Sequence, residues 1–299
     1  MNMIKDLLAG KNWSSSGIGL RAAGNVAAIL LFGAATPAFA HHMQKQFDVQ
    51  PHPLITFHNP GGKVTIQSWD KPQVLVVADH DSPKIEVDAE QTDNRIDVLT
   101  HQLADQIKPD ELLANYVITV PQDAELQIHN DSGEVTITKI LGDTSVETVA
   151  AGVDAQDMGG YFVVQTVGGS FDCSRCTGRI EVHSISGNLR LVDDHSSSIF
   201  AQTSTGDILL DGDFLPNGVY RLKNYSGAID VKFSHGDSFD VSATSLYGKV
   251  DNQAKLTPPS HYSARPPKFA KSLFGSFNRG RAKLELTSFN GTISIHKRD

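Results

Sequence analysis

The chain has 299 residues, with 26 Lys+Arg against 34 Asp+Glu and a formal charge of −8. That balance argues against a general nucleic-acid binder, which needs a basic footprint. The length is ample for a sizeable core in one or two domains.

Residues 1–40 read as an export signal. Lys5, Lys11 and Arg21, offset by Asp6, form a basic start. An apolar run from Val26 to Ala35 follows, then Pro37 and the small-residue exit Ala38-Phe39-Ala40 before His41. The run is too short for a transmembrane helix and ends as a cleaved signal peptide does. Cleavage after Ala40 is expected; initiation at Met3 or an uncleaved anchor are the alternatives that the long basic start leaves open. The mature chain then holds 23 Lys+Arg against 33 Asp+Glu, a formal charge of −10. No cysteine precedes Cys173, which excludes an acylated-cysteine anchor, and no later apolar stretch approaches a span. The expected product is exported, periplasmic or cell-surface associated, with no transmembrane span. Its first residues, His41-His42-Met43, offer an amine and imidazoles to copper or zinc. The preferred reading is a disordered terminus with incidental histidines, so no metal is assigned.

Residues 41–128 are expected to form a β cap. LITFHN, KVTIQSW, QVLVVAD, KIEVDA and RIDVLT alternate as strands do, and YVITVP and AELQIHN follow. The polar stretch Leu103 to Asn115 is the one place for a short helix.

From His129 the chain falls into nines. HNDSGEVTI, TKILGDTSV, ETVAAGVDA, QDMGGYFVV, QTVGGSFDC, SRCTGRIEV and HSISGNLRL run without a gap. A ten-residue unit, VDDHSSSIFA, precedes QTSTGDILL, making nine units over 82 residues. With glycine as position 5, positions 7 and 9 are mostly apolar (Val135 and Ile137, Ile180 and Val182, Leu189 and Leu191). Position 3 is often apolar too: Ile140, Val149, Val167, Ile185, Tyr225, Leu246 and Phe289.

Positions 7 and 9 on one face mean a short strand. An odd repeat would reverse the faces of an unbroken strand, so each unit must bend, and glycine gives the freedom to do so. Position 3 is expected to face inward after the bend. The fold class predicted is mainly β, a β-solenoid over 129–254, with a run of hairpins as the rival. Two units per coil give eighteen residues, four to five coils and a stack of about 20 Å.

Residues 284–299 return to the pattern (TSFNGTISI) and are expected to close the stack as a capping strand pair, as the N-terminal strands do at the other end, because bare coil ends are aggregation-prone. FHNPGGKVTIQSWDKPQVLVVA, the x-Ser-Gly-x-apolar units and LELTSFNGTISI resemble the DUF4097 family of adhesin-type bacterial proteins. The resemblance covers most of the mature chain and implies an exported, non-enzymatic envelope protein. It brings no active site and no cofactor.

Cys173 and Cys176 fall at positions 9 and 3, so they are read as core residues that form a disulfide. Redox use needs a helix N-terminus, and structural zinc needs four ligands. Asp207, Asp211 and Asp213 suggest calcium, but the Gly-Gly-x-Gly-x-Asp repeat is absent and turn aspartates are common. Asp193-Asp194, Asp207/Asp211, Glu181 and the run Asp194-His195-Ser196 hint at catalysis. A carbohydrate-active enzyme or an envelope-stress signalling component is therefore the alternative, although outward positions 6 and 8 vary freely. No catalytic residue and no metal ligand are assigned.

Residues 255–283 hold seven Lys/Arg and no acid, leaving −17 on the rest of the mature chain. Arg265, Lys268, Lys271, Arg279, Arg281 and Lys283, with Phe269, Phe274 and Phe277, are expected to form a loop that binds anionic material. The partner would be an envelope glycan, a lipid surface or another envelope protein. Equally weighted is a loop folded over the acidic body with its phenylalanines covering a solenoid end.

Overall fold

A computed structural model describes residues 41–258 and 271–298. The predicted signal peptide, Arg265, Lys268 and Phe269 lie outside the described residues. The first described strand is His41–Asp48.

The nine-residue units wind in pairs. Leu126, Thr144, Phe162 and Ile180 are eighteen residues apart and are register partners on adjacent parallel strands. Val135, Val153, Phe171 and Leu189 form the matching ladder on the opposite sheet. Each unit therefore hydrogen-bonds to the unit two ahead, not to the next one as successive hairpins would require. The result is a two-sheeted parallel β-solenoid. The ten-residue unit lengthens one step to nineteen, Ile180 to Ile199, and register shifts at Gly178/Arg179 and Val192/Asp194 absorb the extra residue.

Both inward faces are apolar, because successive side chains alternate across a strand. Ile137, Ala155, Cys173, Leu191, Leu210 and Val231 stack along one sheet, and Ile128, Val146, Val164, Val182, Ala201 and Leu222 along the other; all are buried.

The chain order departs from expectation at both ends. The strands Leu54–Asn59 and Gly62–Trp69 form a full coil, inserted between Arg95–Gln102/Asn115–Pro121 and Glu125–Asn130/Gly133–Thr138. The pair Ala282–Ser288/Thr292–Lys297 likewise sits between Val219–Ser226/Ile229–Phe233 and Phe239–Ser245/Lys249–Asn252. The C-terminal pair thus does not close the stack; it lies one coil inside it. Antiparallel strands close it instead, His41–Asp48, Gln73–His80 and Ile85–Thr92 at one end and Lys271–Phe277 at the other. The segment expected as a loop over 255–283 therefore contributes a strand. The short helix expected in 103–115 is a single 3-10 turn, Pro109–Glu111.

The two corners of each coil differ, although their sequences follow one pattern. At one corner Lys139, Asp157, Arg175 and Asp193, all at position 2, take left-handed backbone with φ of 59°, 54°, 53° and 50°. That turns position 3 inward, and Ile140, Met158, Cys176 and Asp194 are buried there. At the other corner position 2 itself faces inward and is polar: Asn130, Thr148, Thr166, Ser184, Thr203, Asn224, Ser288 and Ser245, all buried. Several of these side chains satisfy the bend's backbone, as in Gly169 N–H to Thr166 Oγ1 (2.9 Å) and Gly187 N–H to Ser184 Oγ (2.7 Å), whereas the buried Asn224 amide has no hydrogen-bond partner among the described residues. Position 3 is then outside. Val149, Val167, Ile185 and Tyr225 are 49%, 47%, 57% and 54% exposed, which corrects the inward placement expected for them.

At Gly169 and Gly187 the position-5 glycine serves close approach and not a left-handed bend. A Cβ at Gly169 would lie 1.9 Å from the Ala151 carbonyl oxygen, and one at Gly187 1.9 Å from that of Gly169. Neither has a left-handed φ, so the coil beneath imposes the glycine.

Candidate binding surfaces

Cys173 and Cys176 are bonded across the left-handed corner, with Cα atoms 6.2 Å apart and both residues buried. Arg175 between them points outward and pairs with Asp157, one coil away, at 2.8 Å. The guanidinium holds the Asp157 carboxyl below its ordinary value. The bond staples a bend inside the core and presents no sulfur to a substrate.

The residues weighed for catalysis do not converge. Asp194 is buried and accepts the Ser196 backbone N–H at 2.8 Å. The His195 ring faces out to Asp213 at 3.2 Å, and Ser196 is buried. Asp194-His195-Ser196 is thus no triad. Burial pushes the Asp194 carboxyl up to about 6, the largest effect, and its hydrogen bond to Ser196 opposes this. Glu181 stands on the outer face of one sheet, tied to the Tyr161 hydroxyl and to His183 at 3.0 Å. Hydrogen bonds from His183 and Tyr161 keep its carboxyl low. Asp211 stands on the other sheet, and Asp207 just precedes its strand Ile208–Gly212.

The suspected calcium ligands are engaged by the protein's own cations and backbone. Asp211 accepts from Arg298 Nε (2.7 Å) and Lys232 Nζ (3.2 Å), Asp213 accepts from Arg298 (3.2 Å), and Asp207 accepts the Ala228 N–H (2.7 Å). Among the described residues no group of three or more His, Cys, Asp or Glu side chains is arranged to hold a metal ion.

The basic segment divides. Phe277 turns inward, its ring 4.9 Å from Phe233 and 5.3 Å from Phe239, and Leu273 also packs on the core. Phe277 therefore packs over the end of the solenoid. Phe274 is half-buried on the same strand. Lys271 begins this seven-residue strand, which is about 20 Å long, and Arg279 lies just beyond its far end. Arg279, Arg281 and Lys283 come together at the turn that follows, where the Ser238 hydroxyl accepts the backbone N–H groups of Arg279 (3.0 Å) and Arg281 (3.2 Å). All three are exposed, and among the described residues the guanidinium groups of Arg279 and Arg281 form no ion pair. Lys283 pairs with Glu285 at 2.6 Å, and Glu285 also accepts Arg221 Nε at 2.7 Å.

Arg221 was not singled out in the sequence because it lies outside the basic segment. Parallel register alone brings it beside Glu285. Arg221 and Lys283 thus converge on Glu285. The exposed ridge of Val149, Val167 and Ile185 was also missed. It borders a shallow recess of about 300 Å³ with His129 and His183. Small Asn, Thr or Ser at position 2 of these units, against Lys, Asp or Arg at the other corner, was the available signal.

Together these features define a two-sheeted parallel β-solenoid. The family model described as Toastrack DUF4097 matches residues 54–296, and the chain belongs to that family. Its fold is similar to the crystal structure of a "putative adhesin" from Bacteroides fragilis NCTC 9343, at 12% identity and TM-score 0.44 over 86% of this chain and 97% of the other. A "putative lipid binding protein" from Parabacteroides distasonis ATCC 8503 aligns at 10% identity and TM-score 0.38, over 86% and 97%. A "putative cell adhesion protein" from Clostridium sporogenes ATCC 15579 aligns at 9% identity and TM-score 0.25, over 86% and 100%. No curated protein matches this chain. No helix among the described residues is long and apolar enough to cross a membrane.

Proposed function

We propose that this protein is an exported, non-enzymatic adhesin-like or scaffolding component of the bacterial envelope that binds anionic surface material. The observation that carries the reading is charge segregation. Seven cations without an acid occupy 255–283, against −17 on the rest of the mature chain. Arg279 and Arg281 lie just beyond the closing strand, and Lys283 stands on the strand one coil inside it. Such a patch draws in acidic glycan or lipid phosphate over a Debye length, while the acidic body keeps the molecule off other anionic surfaces. The solenoid serves as a rigid spacer that holds the patch in place.

The test replaces Lys268, Lys271, Arg279 and Arg281 together by glutamine and measures pull-down on anionic vesicles and on acidic glycan beads. Retention of the parent but not of the variant supports the reading. Equal retention of the two removes the segment as the binding element.

A further inference from the structure

The terminus expected to be disordered is an ordered strand, and it places two histidines side by side. His41 and His80 are register partners on the antiparallel strands His41–Asp48 and Gln73–His80. Their rings stack with centroids 4.8 Å apart and planes 6° apart. Both open on a recess of about 370 Å³ whose wall includes Met43, Pro83 and Glu86. His42 points to the opposite face of the strand, where Asp79 takes its Nδ1 at 2.7 Å.

His80 Nδ1 lies 2.9 Å from the Ser82 carbonyl oxygen. A carbonyl only accepts, so Nδ1 carries the proton and Nε2 keeps its lone pair. This is the outer hydrogen bond that fixes tautomer and orientation in metal-binding histidines. Removal of residues 1–40 would leave His41 with a free α-amine, which chelates together with its own Nδ1. Two imidazoles and an amine make three nitrogens, although only two of the ligands are side chains.

We propose that the mature N-terminus forms a transition-metal site: the His41 α-amine, His41 Nδ1 and His80 Nε2 binding Cu(II). The inference rests on the export reading, because the amine exists only after cleavage at Ala40. An all-nitrogen set with open positions suits Cu(II), which also leads the divalent series in affinity. Nitrogens about 2 Å from one metal lie roughly 3–4 Å from each other. The exposed His41 ring needs only to tilt out of its stack to reach that geometry. Bound metal would also pin the first strand to the sheet.

The test uses the chain released from a fusion so that it begins at His41, titrated with Cu(II) against a competing chelator. One equivalent should bind, with nitrogen hyperfine structure in its electron paramagnetic resonance spectrum. His80→Ala and, separately, a Gly-Ser-Gly-Ser extension ahead of His41, which leaves no histidine within three residues of the new α-amine, should each weaken binding by about tenfold or more. Unaltered affinity in His80→Ala or in the extended chain overturns the site. The mass of the chain recovered from cells that express the full sequence checks the cleavage separately. A first residue other than His41 would overturn the export reading at Ala40 and the site's use in the cell, and the titration would still judge its chemistry.

Discussion

Replacing Gly187 by alanine tests why the nine-residue beat carries glycine. The new Cβ would lie 1.9 Å from the Gly169 carbonyl oxygen and 2.9 Å from its carbon. An ordinary carbon–oxygen contact is about 3.3 Å, so two coils must part by more than about 1 Å in sheets spaced about 4.8 Å. Overpacking of this kind costs about 1–3 kcal/mol. Disturbing the bond from Gly187 N–H to Ser184 Oγ adds about 1 kcal/mol. The backbone-entropy gain of Gly→Ala opposes this by about 0.4–1 kcal/mol, because Gly187 has no left-handed φ. The net expectation is a loss of about 2 kcal/mol, read as a lower urea midpoint with an unchanged slope. Gly152→Ala is the internal control. Its Cβ would meet only Ser170 Oγ, at 3.5 Å, so stability should stay the same or rise slightly. If Gly187→Ala is as stable as the parent, the stacking explanation of the beat is wrong.

Three further outcomes follow from the same geometry. Ile185→Ala, on the exposed ridge, should change stability by less than about 0.5 kcal/mol, whereas Ile180→Ala, in the core, should cost about 2–5 kcal/mol; equal losses in urea melts would contradict the two-corner description. Replacing Cys173 and Cys176 together by alanine should cost about 2 kcal/mol for so short a loop, with the far-ultraviolet dichroism intact; loss of the β signal would show that the staple is needed for folding. The Asp194 carboxyl is held by burial at about 6, above its unfolded value near 3.8, so the folded state binds its proton more tightly. Its contribution is therefore most favourable below pH 4 and falls as pH rises through 6. Asp194→Asn should flatten stability between pH 4 and 7 relative to the parent, and an unchanged pH profile would refute the assignment.

The coil length was legible because positions 7 and 9 repeat apolar residues at a fixed interval, and eighteen residues per turn follow from pairing two units. The corners were not legible. A polar residue at position 2 faces in where its hydroxyl or amide can satisfy the bend, as Thr166 does for Gly169. It faces out where the backbone turns left-handed, as at Arg175. A unit-by-unit pattern averages these two cases, which is why Val167 and Cys176 looked equivalent. The order of coils at the two ends was hidden as well, since stacking Ala282–Ser288 beneath Phe239–Ser245 depends on a long-range choice of partner. The basic segment was visible as composition. That Phe277 would leave it for the core, and that Arg221 would converge with Lys283 on Glu285, depended on register.

The most direct test of the account is the salt dependence of binding to vesicles of anionic phospholipid, for the parent and for a variant with Arg279, Arg281 and Lys283 replaced by glutamine. The account predicts that the parent binds at low salt and releases as screening grows, that neutral vesicles are not bound, and that the variant binds neither. Parent and variant binding alike, or binding indifferent to salt and to headgroup charge, would contradict it.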